Sequence, residues 1–67
     1  MIYLNGDIND NGAGRTVVDV LVQLDLAPDA RGVAVAVNGE VVPRVSWGTF
    51  TIPEGACVEV LTAMQGG

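Results

Sequence analysis

The chain has 67 residues and a formal net charge of −5, with eight carboxylates against three arginines and no lysine. That length allows one domain, and a domain this small buries only about 60% of the surface its unfolded chain exposes, which leaves little volume for a deep substrate pocket. The charge excludes a nucleic-acid binder, which needs a basic footprint, and points to a partner with a basic surface.

Cys57 stands alone and there is no histidine. Neither an internal disulfide nor a histidine-based metal site can staple the fold, and the lone cysteine fits a reducing compartment. The opening MIYLNGDIND has neither a basic n-region nor an apolar h-region, so it does not read as a signal peptide. No stretch approaches the roughly 20 apolar residues of a membrane span. A soluble, cytoplasmic protein without membrane contact is expected. With no lysine present, the α-amino group of Met1 is the only amine.

In chain order, Ile2-Tyr3-Leu4 is apolar and β-prone, and Asn5-Gly6 is a favoured type I′ hairpin dipeptide. Asp7-Ile8-Asn9 then forms a short second strand, and Asp10 to Gly14 is all turn and breaker residues. Thr16 opens the helix, with Asp19 three residues on as a weaker form of the capping box. Val17, Val20, Leu21 and Leu24 make one apolar stripe at helical spacing. Ala27-Pro28-Asp29 is expected to end the helix, because the residue before proline leaves the α region.

Val33-Ala34-Val35-Ala36-Val37 alternates valines with alanines, as a strand covered on at least one side does. Asn38-Gly39 is a second turn. Val41-Val42 is a short strand that Pro43 confines to an edge or an end. Ser46-Trp47-Gly48 reads as a loop or single turn. Phe50-Thr51-Ile52 is expected as a further strand, closed by Pro53-Glu54-Gly55. Cys57 to Ala63 is the last strand, with Val58 and Val60 on one face and Glu59 and Leu61 on the other. This order predicts an α+β domain with one helix across a mixed sheet, and specifically a β-grasp arrangement with its first and last strands parallel at the sheet centre. The helix stripe would pack on Val33, Val35, Val37, Val58 and Val60. Residues 1–62 form the domain, and 63–67 a flexible tail.

Side-chain chemistry is sparse. Asp7 to Gly12 matches the front half of a calcium loop, but Val18 falls where the bidentate glutamate belongs and a strand precedes the segment, so it reads as a polar turn. Gly12-Ala13-Gly14 lacks the lysine of a phosphate loop. No histidine can activate Ser46 or Cys57 as a nucleophile. Glu54 and Glu59 fit solvated strand ends as well as a catalytic pair. No metal site and no catalytic residues are expected, so the chain does not read as an enzyme. Cys57 is expected as a small, half-buried strand residue; a reactive thiol would need a cation or helix N-terminus beside it. Trp47 is either a core lid or a partner contact. Arg44 is either a surface ion pair or a docking contact.

Thr16-Val17, Leu21 and Leu24, Val33 to Asn38, Val42-Pro43-Arg44, Trp47, Glu54-Gly55, Val58-Glu59-Val60 and the final Gly66-Gly67 occur in that order. Together they resemble the ThiS family of thiamine-biosynthesis sulfur carriers over Ile2 to Gly67. The most specific features are Asn38 to Arg44 and the terminal Gly-Gly on so short a chain. The family often has Gly-Asp at the entrance to the last strand, where this chain has Gly55-Ala56.

The resemblance implies a ubiquitin-like β-grasp fold and a reactive tail. A ThiF-like enzyme, using ATP and magnesium, would adenylate Gly67. A sulfur relay that includes a cysteine desulfurase would then convert it to a thiocarboxylate, and a ThiG-like thiazole synthase would take the sulfur. Gly66, Gln65 and Met64 would thread the tail into a narrow channel, since glycine has no Cβ to obstruct passage and the other two are slim. Leu61, Ala63 and Arg44 are candidate docking residues. The alternatives are the small subunit of molybdopterin synthase or another Gly-Gly sulfur carrier, and, from another class, a β-grasp interaction module with an inert tail.

Overall fold

A computed structural model describes residues 1–26 and 32–62. The elements run β1 (Ile2–Leu4), β2 (Asp7–Asn9), α1 (Val17–Gln23), β3 (Val33–Val37), β4 (Glu40–Val41), a 3-10 turn (Arg44–Ser46) and β5 (Cys57–Thr62). They build one five-stranded sheet in the order β2-β1-β5-β3-β4. β1 and β5 pair in parallel, with Tyr3 opposite Cys57 and Leu4 opposite Val58. The other three pairings are antiparallel. This is the β-grasp arrangement expected from the element order.

Both Asn-Gly turns are the tight hairpins their sequences predict. Asn5 and Gly6 have φ of 50° and 87°, and Asn38 and Gly39 have 51° and 84°. Positive φ at both central residues is the type I′ signature, whose twist matches the flanking strands. Within β1 and β5 the side chains alternate. Ile2, Leu4, Val58 and Val60 are buried under α1, whereas Tyr3, Cys57, Glu59 and Leu61 face outward. Val35 and Val37 join the same core, Val33 packs at its margin, and Val17, Val20 and Leu21 close it from the helix.

The helix starts where expected, with both halves of the capping box made. Asp19 N–H donates to Thr16 Oγ1 at 3.3 Å, and Thr16 N–H donates to Asp19 Oδ2 at 3.1 Å. Two further first-turn N–H groups are satisfied from outside, Val17 to the Phe50 carbonyl at 3.3 Å and Val18 to the Trp47 carbonyl at 3.1 Å. The helix stops earlier than Pro28 would require. Its C-cap is Leu24, and Asp25 takes φ of 60°. Asp25 N–H then donates to the Val22 carbonyl and Leu26 N–H to the Leu21 carbonyl. That pair of bonds is a Schellman stop, in which aspartate takes the left-handed position usually held by glycine. Leu26 folds back against the core, which leaves Leu24 38% exposed and off the apolar stripe. Ala27 to Asp29 lies outside the described residues.

Two strands expected from the sequence differ. Phe50-Thr51-Ile52 is not a strand of the sheet, and only Thr51 makes an isolated bridge, to Thr16. The segment is zipped to the helix entry instead: Gly14 N–H donates to the Ile52 carbonyl and Ile52 N–H to the Arg15 carbonyl, both at 2.8 Å. Its backbone bonds are spent on that loop, and Ile52 is driven fully into the core. β4 comprises Glu40–Val41 in place of Val41-Val42. Val42 still donates to the Val35 carbonyl at 2.8 Å, and Pro43 ends the ladder.

The glycine-rich loop serves packing. A Cβ on Gly12 would clash with the buried side chain of Ile2, so glycine lets this loop cross the buried start of β1. The would-be calcium loop uses its polar groups locally, with Asn9 Oδ1 accepting from Asn11 N–H at 2.8 Å. Trp47 is buried, and its indole N–H donates to the Val42 carbonyl at 2.9 Å, which makes it a core lid.

Leu21→Ala should lose about 2–5 kcal/mol of stability, the range for deleting a buried leucine, read as a lower urea midpoint at unchanged slope. Leu24→Ala should lose under about 1 kcal/mol, since its side chain is not in the core.

Candidate functional site

The tail residues Ala63, Met64, Gln65, Gly66 and Gly67 lie outside the described residues, and the described site is the strand that leads into them. β5 is the middle strand. Its pairing with β3 extends along its length, from Val37 opposite Val58 to Val33 opposite Thr62. Its pairing with β1 is short, because β1 turns away at Asn5.

Two asparagine side chains complete what the flanking strands leave unpaired. Asn5 Oδ1 accepts from Val60 N–H at 2.8 Å, and Asn5 Nδ2 donates to the Val60 carbonyl at 3.2 Å. At the other end and on the other edge, Asn38 Oδ1 accepts from Cys57 N–H at 2.9 Å, and Asn38 N–H donates to the Cys57 carbonyl at 2.8 Å. Each hairpin turn therefore grips the central strand through its own asparagine. The Asn-Gly dipeptides announce turns; the reach of their side chains to a strand 55 and 19 residues away depends on tertiary structure and carries no local signal.

The sheet face opposite α1 is open. Tyr3 lies between Ile8 on β2 and Cys57 on β5, and Ala34 and Ala36 of β3 stand opposite Leu61 and Glu59. Val41 of β4 is opposite Ala36. Ile8, Leu61 and Val41 are 67%, 62% and 74% exposed. A shallow groove along β1 and β5 is walled by Tyr3, Asn5, Gly6, Cys57, Glu59 and Leu61. Glu59 is the only charge that the described strands place in the middle of this apolar surface.

Of the residues singled out from sequence, Leu61 sits on this face next to the end of β5. Arg44 does not join it. It lies in the 3-10 turn beyond the β4 edge, with its guanidinium carbon 4.9 Å from the centroid of the Trp47 ring, a cation–π distance. Cys57 was expected half-buried and is exposed, because its place in the alternation puts it beside Tyr3 on the open face. By composition Tyr3 and Ile8 are only strand formers, but the alternation of Ile2-Tyr3-Leu4 already places Tyr3 opposite the core. Glu54 pairs with the Met1 ammonium and stands apart from Glu59, so the two carboxylates do not form a site. Among the described residues no group of His, Cys, Asp or Glu could hold a metal ion, and no helix is long and apolar enough to cross a membrane.

A β-grasp domain whose central strand leads by sequence to Gly66-Gly67 belongs to the ubiquitin-like class of small carrier folds. The sequence matches the ThiS family over residues 1–67. It is 32% identical over 66 residues to the sulfur carrier protein ThiS of Escherichia coli K12, covering 98% of this chain and 97% of that protein. The crystal structure of a thiamine biosynthesis protein (ThiS) from Geobacter metallireducens is similar at a TM-score of 0.75 and 35% identity, over 98% of this chain and 97% of that one. The solution structure of a thiamine biosynthesis protein from the same organism has a TM-score of 0.76 at 34% identity, over 98% and 86%. The chain belongs to the ThiS family, the sulfur carrier proteins of thiamine biosynthesis. It is a carrier and not a catalyst, and the molybdopterin synthase alternative is not favoured.

Asn5→Gly keeps the positive φ and removes both bonds to Val60. An amide that loses its partner loses about 1–2 kcal/mol of protection, so Val60 N–H should exchange with solvent about tenfold faster or more by NMR. Glu59 and Leu61, which pair with β3, should stay protected.

Proposed function

We propose that Gly67 is the sulfur-bearing residue and that its main-chain carboxylate supplies all the chemistry the domain contributes. The observation that carries this reading is the geometry of β5: a central strand held on both edges up to Val60 leads within a few residues to Gly66-Gly67. A free carboxylate is a poor electrophile. Attack of the Gly67 carboxylate on the α-phosphate of ATP, with magnesium held by a ThiF-like adenylating enzyme, gives an acyl adenylate and pyrophosphate. A relay that includes a cysteine desulfurase delivers sulfur as a persulfide, from which a thiol reductant, itself oxidised to a disulfide, releases hydrosulfide; hydrosulfide then adds to the carbonyl and expels AMP, leaving a thiocarboxylate and a proton. A ThiG-like thiazole synthase receives the sulfur. ATP and reducing conditions place these steps in the cytoplasm.

Five residues beyond Thr62 reach at most about 17 Å when extended. An enzyme that acts on Gly67 therefore works close to the end of β5 and meets the open sheet face. Leu61 with Tyr3 and Ile8 forms the apolar part of that contact, and Ala63 continues it by sequence. Glu59 fits a basic group on the partner, in keeping with the net charge of −5. A partner broad enough to cross the β4 edge also reaches Arg44. Met64, Gln65, Gly66 and Gly67 enter the active site, and the two glycines let it close tightly around the backbone.

Deletion of Gly67 should abolish sulfur loading while leaving the thermal unfolding transition in place. Intact mass spectrometry of the chain from its native cell should show a fraction with one oxygen exchanged for sulfur at Gly67. A tail found only as carboxylate, in cells that are making thiazole, would leave the inert-tail reading standing. Leu61→Asp should weaken binding to the adenylating enzyme about tenfold or more, as loss of an apolar anchor does, with stability nearly unchanged because Leu61 is exposed.

A further inference from the structure

The two edges of β5 end at different places. On the β3 side the ladder reaches Val33 opposite Thr62. On the β1 side it stops at Val60, where the Asn5 side chain stands in for the next residue of β1. Two sets of bonds fix which way each residue points. Asn5 N–H donates to the Val58 carbonyl at 2.9 Å, so Val58 and Val60 turn their main-chain groups toward β1. Cys57 turns its groups toward the β3 hairpin. The two-residue period of a strand then directs the N–H and C=O of Thr62 to the β1 side. There β1 has already turned away, and no described residue bonds to them.

We propose that this open edge at Thr62 is a main-chain docking site for an extended segment of the adenylating enzyme, which adds to β5 where β1 leaves off. The inference rests on the proposal that Gly67 is adenylated by a separate enzyme. Gly66 and Gly67 offer no side chain to grip, so only main-chain donors and acceptors can set how far the carboxylate reaches. Strand addition of this kind takes its affinity from main-chain bonds. The outer edges of the sheet are blunted against such pairing: β2 is three residues long and begins with Asp7, and β4 is two residues long with Pro43 close behind. The edge that opens at Thr62 belongs to the strand that carries the reactive end.

Thr62→Pro deletes the N–H on that edge and spares the β3 ladder, whose bonds on this stretch fall on Leu61. Thr62→Val keeps the N–H. ATP–pyrophosphate exchange by the cognate adenylating enzyme, titrated with carrier, should show half-saturation about tenfold higher for the proline variant, the scale of one or two lost hydrogen bonds, and near wild type for the valine variant. Because proline can disturb the strand itself, a second variant replaces only the Leu61–Thr62 amide with an ester. It is made by joining synthetic residues 57–67 to 1–56 at Cys57. Equal half-saturation for ester and amide chains overturns the proposal. So does a wild-type dimer in sedimentation that both variants abolish, since a second copy would then hold the edge. Exchange that persists without Gly67 would instead refute the tail chemistry, whereas normal exchange by the Thr62 variants refutes the edge alone.

Discussion

A strand can occupy the middle of a small sheet only if both of its edges find hydrogen-bond partners, since each buried group left unpaired costs about 1–3 kcal/mol. β5 meets that requirement with a parallel partner on one side and an antiparallel one on the other. Both partners are shorter than β5 or turn before it ends. The asparagines of the two hairpin turns make up the difference, Asn5 at Val60 and Asn38 at Cys57. With its backbone held on both edges up to Val60, β5 can set Val58 and Val60 against Val17, Val20 and Leu21. A chain of 67 residues has few other apolar contacts to spend. The same strand therefore organises the core and leads, by sequence, into the tail.

Much of this is readable from residue order because local and global preferences agree. Asn5-Gly6 and Asn38-Gly39 demand positive φ and obtain it. Thr16 with Asp19 starts the helix, and alternating apolar residues in β1, β3 and β5 sort the two faces. The departures have different causes. Phe50 to Ile52 has the composition of a strand, but its backbone groups bond to the helix entry, and no window of sequence shows that competitor. The helix stops at Asp25 because Leu26 can fold onto the core, a tertiary gain that overrides the proline further on. Cys57 is small and apolar, which favours burial, yet its alternation parity places it outside. The candidate site was legible in part: Leu61 follows from alternation, whereas Asn5 and the separation of Arg44 from Leu61 follow only from the strand order.

An apolar sheet face left without a helix is a liability for a free domain. Here it is interrupted by Glu59 and bordered by short edge strands, which limits self-association without covering the surface. The net charge of −5 adds mutual repulsion between copies. These features leave the face open, as the proposed contact with a partner that carries basic groups requires. Arg44 lies in the 3-10 turn after β4, where its guanidinium covers the ring of Trp47, a side chain that closes the core.

The absence of catalytic groupings among the described residues and the order at the root of the tail express one division of labour. On the proposed chemistry the nucleotide and metal belong to the adenylating enzyme, so the carrier's task is to present its end and be released. Presentation benefits from a rigid root, because each residue that stays mobile in the bound complex spreads the carboxylate over a larger volume and lowers its effective concentration at the phosphate. Release benefits from a short contact, because a deeply buried docking surface would slow transfer between successive enzymes. β5 answers both needs: bonds within the domain hold it on both edges up to Val60 and on the β3 edge to Thr62, which makes the root rigid, while the open face beside it offers only a shallow groove.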